Sequence, residues 1–199
     1  MVGVQRLEAS RGSYAYVVEG PEPVLVDTSW PGRAAAMLDE LREWGGTVRH
    51  IVVTHYDVDH MGNVVPLADA LGAAVWLPAD DVPYMIGNKP KPGVKRLIDA
   101  VIRPPVPGKF QPLAHGGEVG PVRAVASPGH TPGHTAYRTD GALFAGDALS
   151  TRGGRIIAMP AILSWNRQVE TESRRHLLDG FHGWIFPAHG EPLRWTQEA

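Results

Sequence analysis

The chain has 199 residues, 43% of them hydrophobic and 20% charged, with a formal net charge of -2 at pH 7. That length suits one domain with a sizeable core, and the mild acidity gives no pull towards nucleic acid or an anionic membrane surface. Cysteine is absent, which excludes disulfides, thiolate ligands and cysteine nucleophiles together, so any metal must be held by histidine and carboxylate.

Residues 1–16 carry no apolar stretch behind a basic start, and no segment reaches the apolar length that spans a bilayer. A soluble, cytoplasmic protein is expected. Residues 13–19 predict a strand, Gly20-Pro21 a turn, and residues 24–26 a second strand that runs into Asp27-Thr28-Ser29-Trp30. Pro31-Gly32 introduces a helix over 33–44, with Ala34, Met37, Leu38, Leu41 and Trp44 on one face, and Gly45-Gly46 stops it. The β-branched run 48–53 predicts a buried strand, followed by a helix over 61–71 and a strand over 74–77. This alternation predicts a layered α/β domain. Residues 78–112 are crowded by Pro90, Pro92, Pro104, Pro105 and Pro107 around one helix over 94–102, and read as a surface excursion of the kind that often covers a site. Strands follow over 122–126, 135–138 and 142–145, then a helix over 168–178 and a last strand over 184–186.

The strongest chemical feature is Thr54-His55-Tyr56-Asp57-Val58-Asp59-His60, just past a buried strand, where α/β proteins tend to place their sites. Residues 55, 57 and 59 alternate, so an extended segment would point all three to one side, with His60 turned elsewhere; two ions could share the cluster. A plainer reading makes Asp59 the cap of the next helix and His55 a satisfied loop histidine, which leaves Asp57 and the histidine pair unexplained. Three further segments pair a turn with a ligand: Ser127-Pro128-Gly129-His130-Thr131-Pro132-Gly133-His134, Leu143-Phe144-Ala145-Gly146-Asp147 and Phe186-Pro187-Ala188-His189-Gly190. Each alone would pass for an ordinary turn. Each also follows a predicted strand or lies between two, and no single turn motif accounts for all of them.

In this order the segments resemble the metallo-β-lactamase superfamily. Its signature is H-x-H-x-D-H, then a histidine in a P-G-H-T turn, an aspartate in a G-D turn and a late histidine before glycine. Val24-Leu25-Val26-Asp27-Thr28 matches the family's early strand and its aspartate, and the resemblance covers roughly residues 13–77 and 112–191. It implies a four-layer αββα sandwich in a single α/β domain, 1–199, with residues 78–112 as a proline-rich insertion near the active site. Carried over residue by residue, it implies that His55, Asp57 and His130 hold one metal ion. Asp59, His60 and His189 would hold a second, with Asp147 bridging the two. Asp27 and His134 would orient these groups through hydrogen bonds.

Asp57 departs from the family, which usually has histidine there. A carboxylate is a harder ligand than imidazole, so of the two divalent ions expected, zinc first, iron or manganese gain ground. The resemblance implies a hydrolase in which a metal-bridging hydroxide attacks an ester, thioester or lactone carbonyl while Asp59 handles the proton. Two other readings stay open. One is a non-haem iron redox protein similar to the flavodiiron group, which has glutamate at the place of Asp57. The other is a phosphodiesterase, which usually needs a basic surface, whereas this acidic chain shows only Lys89, Lys91, Lys95 and Arg96 clustered in the insertion. The expected partner is a small-molecule substrate, with neither nucleic acid nor membrane, and Trp30, Tyr56, Tyr84, Met85 and Trp165 are candidates to touch it.

Overall fold

The computed structural model describes residues 2–196. One sheet takes its strands in chain order: β1 (Val4–Arg6), β2 (Tyr16–Val18), β3 (Val24–Val26), β4 (His50–Val52), β5 (Ala74–Pro78) and β6 (Gln111–Leu113). The first two pairings are antiparallel and the rest parallel. The other sheet runs β7 (Glu118–Val119), β8 (Val122–Ala126), β9 (Thr135–Thr139) and β10 (Ala142–Gly146). A small hairpin, β11 (Ser150–Arg152) with β12 (Arg155–Ile157), leaves the sheet before β13 (Gly183–Pro187) returns parallel to β10 and β14 (Leu193–Trp195) closes the edge. The helices are α1 (Ala34–Trp44), α2 (Val58–Met61), α3 (Val64–Leu71), α4 (Val82–Met85), α5 (Lys95–Val101) and α6 (Arg167–Leu178).

The period-2 alternation of the strands builds the layers. Val17, Leu25, Ile51 and Val53 face α1 and α3, joining Met37, Leu41, Val64 and Leu67 in one core. Their neighbours Tyr16, Val18, Val24, Val26 and Val52 face the second sheet and meet Tyr137, Ala142 and Phe144. Ala136, Leu143 and Ala145 point the other way, onto Leu177 of α6 and Phe181 just after it. Three apolar seams therefore separate helix, sheet, sheet and helix, the αββα sandwich that the resemblance implied. The α6 N-terminus is set by Asn166, whose side chain accepts from the backbone of Gln168 and Val169.

Several expectations need correction. The helix expected over 61–71 is two helices, because the carboxamide of Asn63 is turned out of its own helix. Its nitrogen donates to the carbonyls of Thr28 and Trp30, and its oxygen accepts from the first amides of α1, Arg33 and Ala34. Gly62 makes that junction possible, since a Cβ there would stand 2.4 Å from the Pro31 nitrogen. The strand over 13–19 shortens to Tyr16–Val18. The proline-rich segment does not stay outside the sheets: its last residues form β6, where Pro112 is tolerated because the strand is an edge. The strands β1, β11, β12 and β14 are too short or too polar to stand out by periodicity. No helix among the described residues is long and apolar enough to cross a membrane.

Candidate metal centre

The site lies at the carboxyl ends of strands from both sheets. Asp27 follows β3, Thr54 and His55 follow β4, His130 follows β8, Asp147 follows β10 and His189 follows β13. The short helix α2 adds Asp59 and His60, with Asp57 at its start. The expected alternation of 55, 57 and 59 is lost because 58–61 is helical, so Asp57 and Asp59 face different neighbours.

The seven side chains fall into two groups, His55, Asp57, His130 and Asp147 in one, Asp59, His60 and His189 in the other. In the first, His130 Nε2 is 3.1 Å from Asp57 Oδ2 and 3.2 Å from Asp147 Oδ2, and His55 Nε2 is 3.3 Å from Asp57 Oδ2. In the second, His189 Nε2 is 3.3 Å from Asp59 Oδ2 and 3.3 Å from Asp147 Oδ1, while His60 Nε2 is 3.4 Å from Asp147 Oδ1. Asp147 thus turns one oxygen to each group. His55 Nε2 and Asp147 Oδ1 are buried with no hydrogen-bond partner within the protein. Buried polar atoms are rarely left so, and these point into the clusters. Convergent imidazoles and carboxylates are the donor set that divalent transition ions take, so the residues fit two such ions.

Hydrogen bonds behind the clusters fix which nitrogen each imidazole presents. Thr54 Oγ1 donates to Asp27 Oδ2 at 2.8 Å and so accepts from His55 Nδ1 at 3.0 Å, leaving His55 Nε2 as the lone-pair nitrogen. Asp27 Oδ2 accepts from His60 Nδ1 at 2.8 Å, which aims His60 Nε2 at the second group. The Asp147 amide donates to His134 Nε2 at 3.0 Å, so the proton of His134 sits on Nδ1, which donates to Ser127 Oγ at 2.8 Å. Burial, with His130 nearby, pushes His134 down to about 3, so it stays neutral. A Cβ at residue 146 would lie 2.7 Å from His134 Nε2, and the φ there is +50°, two reasons for glycine before Asp147. In the first group burial raises the Asp57 carboxyl, but the charges around it, Lys95 among them, outweigh this and hold it well below the usual range.

Asp81, which the sequence reading passed over, secures the turn that carries His130. Its carboxylate accepts from Thr131 Oγ1 and the Gly133 amide, both at 2.6 Å. Burial pushes this carboxyl up from 3.8 to about 7 despite those two bonds. Between those values the folded chain keeps a proton that the unfolded chain has lost. The contribution of Asp81 to stability is therefore greatest below the lower value and declines as pH rises towards the upper one. The gap in Tm between Asp81→Asn and wild type is expected to move in favour of the variant across that window. A pH-independent gap would mean that the carboxyl ionises as an exposed one does.

A cavity of about 280 Å³ opens on the clusters, with Asp57, Asp59, Asp147 and His189 at its base. Its walls are largely apolar, built from Trp30, Val58, Ile98, Ile102, Met159 and Leu163. Of the five residues expected to meet substrate, Trp30 is the one that lines this cavity. Tyr56 and Met85 are buried in the core against α3, with Tyr84 packed on the Tyr56 ring, because the segment after β5 folds inward there. Trp165 is half-exposed outside the cavity, its amide donating to the His130 carbonyl. The basic cluster also corrects the sequence reading. Lys91 and Lys95 are buried, paired with Asp99 and Asp57. Only their pairing across α5 could have shown that two lysines in a proline-rich stretch turn inward, and sequence spacing does not encode it.

Four layers, with convergent histidine–carboxylate clusters at the carboxyl ends of strands from both sheets, define a metal-dependent hydrolase. The chain belongs to the metallo-beta-lactamase superfamily, whose family model matches residues 10–189. It is 28% identical over 200 residues to the uncharacterized protein YobT of Bacillus subtilis (strain 168), with 92% of this chain and 84% of that protein covered. It is 29% identical to a hydroxyacylglutathione hydrolase of Shewanella sp. (strain ANA-3), covering 78% of this chain and 55% of the relative. The chain spans about half the length of the hydroxyacylglutathione hydrolases it matches. Among solved structures, TTHA1623 in a di-iron-bound form superposes with a TM-score of 0.73 at 26% identity, covering 92% of this chain and 89% of that one. The B3 metallo-beta-lactamase BLEG-1 has the same TM-score at 20% identity, covering 96% and 94%, a likeness of fold alone.

Proposed function

We propose that the protein hydrolyses an ester, thioester or lactone of a small, largely apolar acyl compound at a two-metal site. The observation that carries this is Asp147, with Oδ2 in one donor group and Oδ1 in the other. Two divalent ions held there would supply an acidified water and polarise the carbonyl. His55, Asp57 and His130 hold the first place and Asp59, His60 and His189 the second. Asp59 borders the cavity and lies beside His189, so it is the group placed to take a proton from the attacking water and return it to the leaving oxygen or sulfur. Trp30, Ile98, Ile102, Met159 and Leu163 pack on the acyl part and exclude bulk water. The likeness to hydroxyacylglutathione hydrolases supports a thioester among the candidates. A panel of thioesters, lactones, esters, β-lactams and phosphodiesters, run on protein of measured metal content, tests the reading; turnover of phosphodiesters alone would overturn it.

Asp57, and a relative solved in a di-iron form, favour a second reading in which iron fills the site and the reaction is redox. Iron-loaded protein that consumes oxygen with an added flavin reductant and hydrolyses nothing would establish that alternative. The metal preference has its own test. Asp57→His exchanges a hard ligand for a borderline one and is expected to raise the zinc-to-iron ratio of purified protein above that of wild type. Equal ratios would separate Asp57 from metal choice.

A further inference from the structure

Lys95 reaches the first donor group from α5, an element outside the two sheets. Its side chain is 4% exposed. The ammonium donates to Asp57 Oδ2 and stands 2.9 Å from His130 Nε2. Those two atoms belong to the first group of metal donors. The lysine is held on course by its surroundings. The ring of Tyr56 lies 5.8 Å from Nζ. One turn along, Asp99 ties α5 to Lys91 at 2.6 Å, and Lys91 lies 4.8 Å over the same ring. The second donor group has no such intruder: among the described residues, no lysine or arginine forms an ion pair with Asp59, Asp147 or Asp27.

We propose that Lys95 is an internal cation that competes with metal for the first site, so that the second site, at Asp59, His60 and His189, fills first. This rests on the two-site reading above. The ammonium and a divalent ion call on the same lone pairs of Asp57 and His130, and two positive charges at that separation repel each other strongly where water is scarce. Filling the first site therefore requires Nζ to leave those atoms. The second site carries no such cost. Lys95 also compensates the partly buried Asp57 carboxylate when no ion is bound there, so the empty site does not hold an unpaired charge. Lys95 itself lines the cavity together with Ile98 and Ile102, so Nζ has open space into which to withdraw.

The test is a titration of chelator-stripped protein with Zn²⁺ at one fixed pH, followed by calorimetry and by competition with a chromophoric chelator. Wild type is expected to take one ion tightly and a second at least about tenfold more weakly. In Lys95→Met the second binding constant tightens by about tenfold or more while the first holds. Lys95→Arg, which keeps the charge, retains the wide gap. Site variants read the order without touching Lys95, which covers a Lys95→Met protein that does not fold: His189→Ala removes the tight ion, and His130→Ala leaves it in place. Two equally tight ions in wild type, or a second constant unmoved in Lys95→Met, overturn the competition and leave the two-site function standing. Absence of zinc binding in every protein overturns the two-site function, and the competition with it.

Discussion

Asp147→Asn is expected to lower kcat/KM by at least about a thousandfold, because the metal-supplied stabilisation it removes amounts to several kcal/mol. Asp147 Oδ2 lies 3.2 Å from His130 Nε2 and 4.0 Å from His55 Nε2, and Oδ1 lies 3.4 Å from His60 Nε2 and 3.3 Å from His189 Nε2. Asparagine has the same shape but a single acceptor oxygen, and its amino group would face two imidazole nitrogens that must act as lone-pair donors. Both donor groups lose the negative charge, and one of them loses its oxygen donor whichever way the amide turns. The fold is expected to survive, since the main-chain bond from residue 147 to His134 does not involve the side chain. Metal content measured by plasma emission should fall from about two ions per chain to about one or fewer. Full activity with two ions retained would overturn the bridging role.

Much of the fold was legible because the strands obey a simple rule. Val24, Leu25 and Val26, or Leu143, Phe144 and Ala145, read as buried runs, and the structure sends alternate members to opposite sides. The clustered histidines and aspartates were legible for a related reason: they sit just past strand ends, four of them packed into residues 55–60 and the others in turns that carry glycine or proline. What escaped the sequence reading depends on contacts between distant segments. Asn63 breaks a helix because it caps α1, about thirty residues earlier in the chain. Lys95 lies in a proline-rich stretch whose composition predicts exposure, yet Asp57 and the Tyr56 ring draw it inward. Asp81 has no local motif to mark it, because its partners lie on the His130 turn, 50 residues away. Hydrophobic pattern and local motifs report which residues are buried or clustered. They do not report which buried polar group answers which.

Asp27→Asn is the second variant with a large expected effect, and it acts without touching a metal. Asp27 is 2% exposed and holds a φ of 60°, a left-handed conformation that asparagine tolerates well, so the backbone has no reason to move. Its Oδ1 accepts from the Thr54 amide at 2.7 Å, and its Oδ2 accepts from Thr54 Oγ1 and from His60 Nδ1, both at 2.8 Å. An amide cannot reproduce three acceptances. With its nitrogen at the Oδ2 position it donates to His60 Nδ1, which drives the imidazole proton onto Nε2, the atom aimed at the second donor group. With the amide flipped, the NH₂ confronts the Thr54 N–H, and a buried donor is left without an acceptor. Zinc affinity at the second site is expected to weaken about 10–100-fold, the usual consequence of losing an orienting carboxylate behind a histidine ligand. Added metal should restore part of the lost turnover, which separates a binding defect from a catalytic one. Asp27→Ala goes further, leaving two buried Thr54 donors unanswered, and is expected to lose about 2–4 kcal/mol of stability in thermal or urea unfolding. If Asp27→Asn instead binds zinc as tightly as wild type, the carboxylate serves only to pin Thr54, and the tautomer of His60 is set elsewhere. Because the second site is the one free of an internal cation, a loss there should appear at the first equivalent of metal, whereas a change at Lys95 appears at the second.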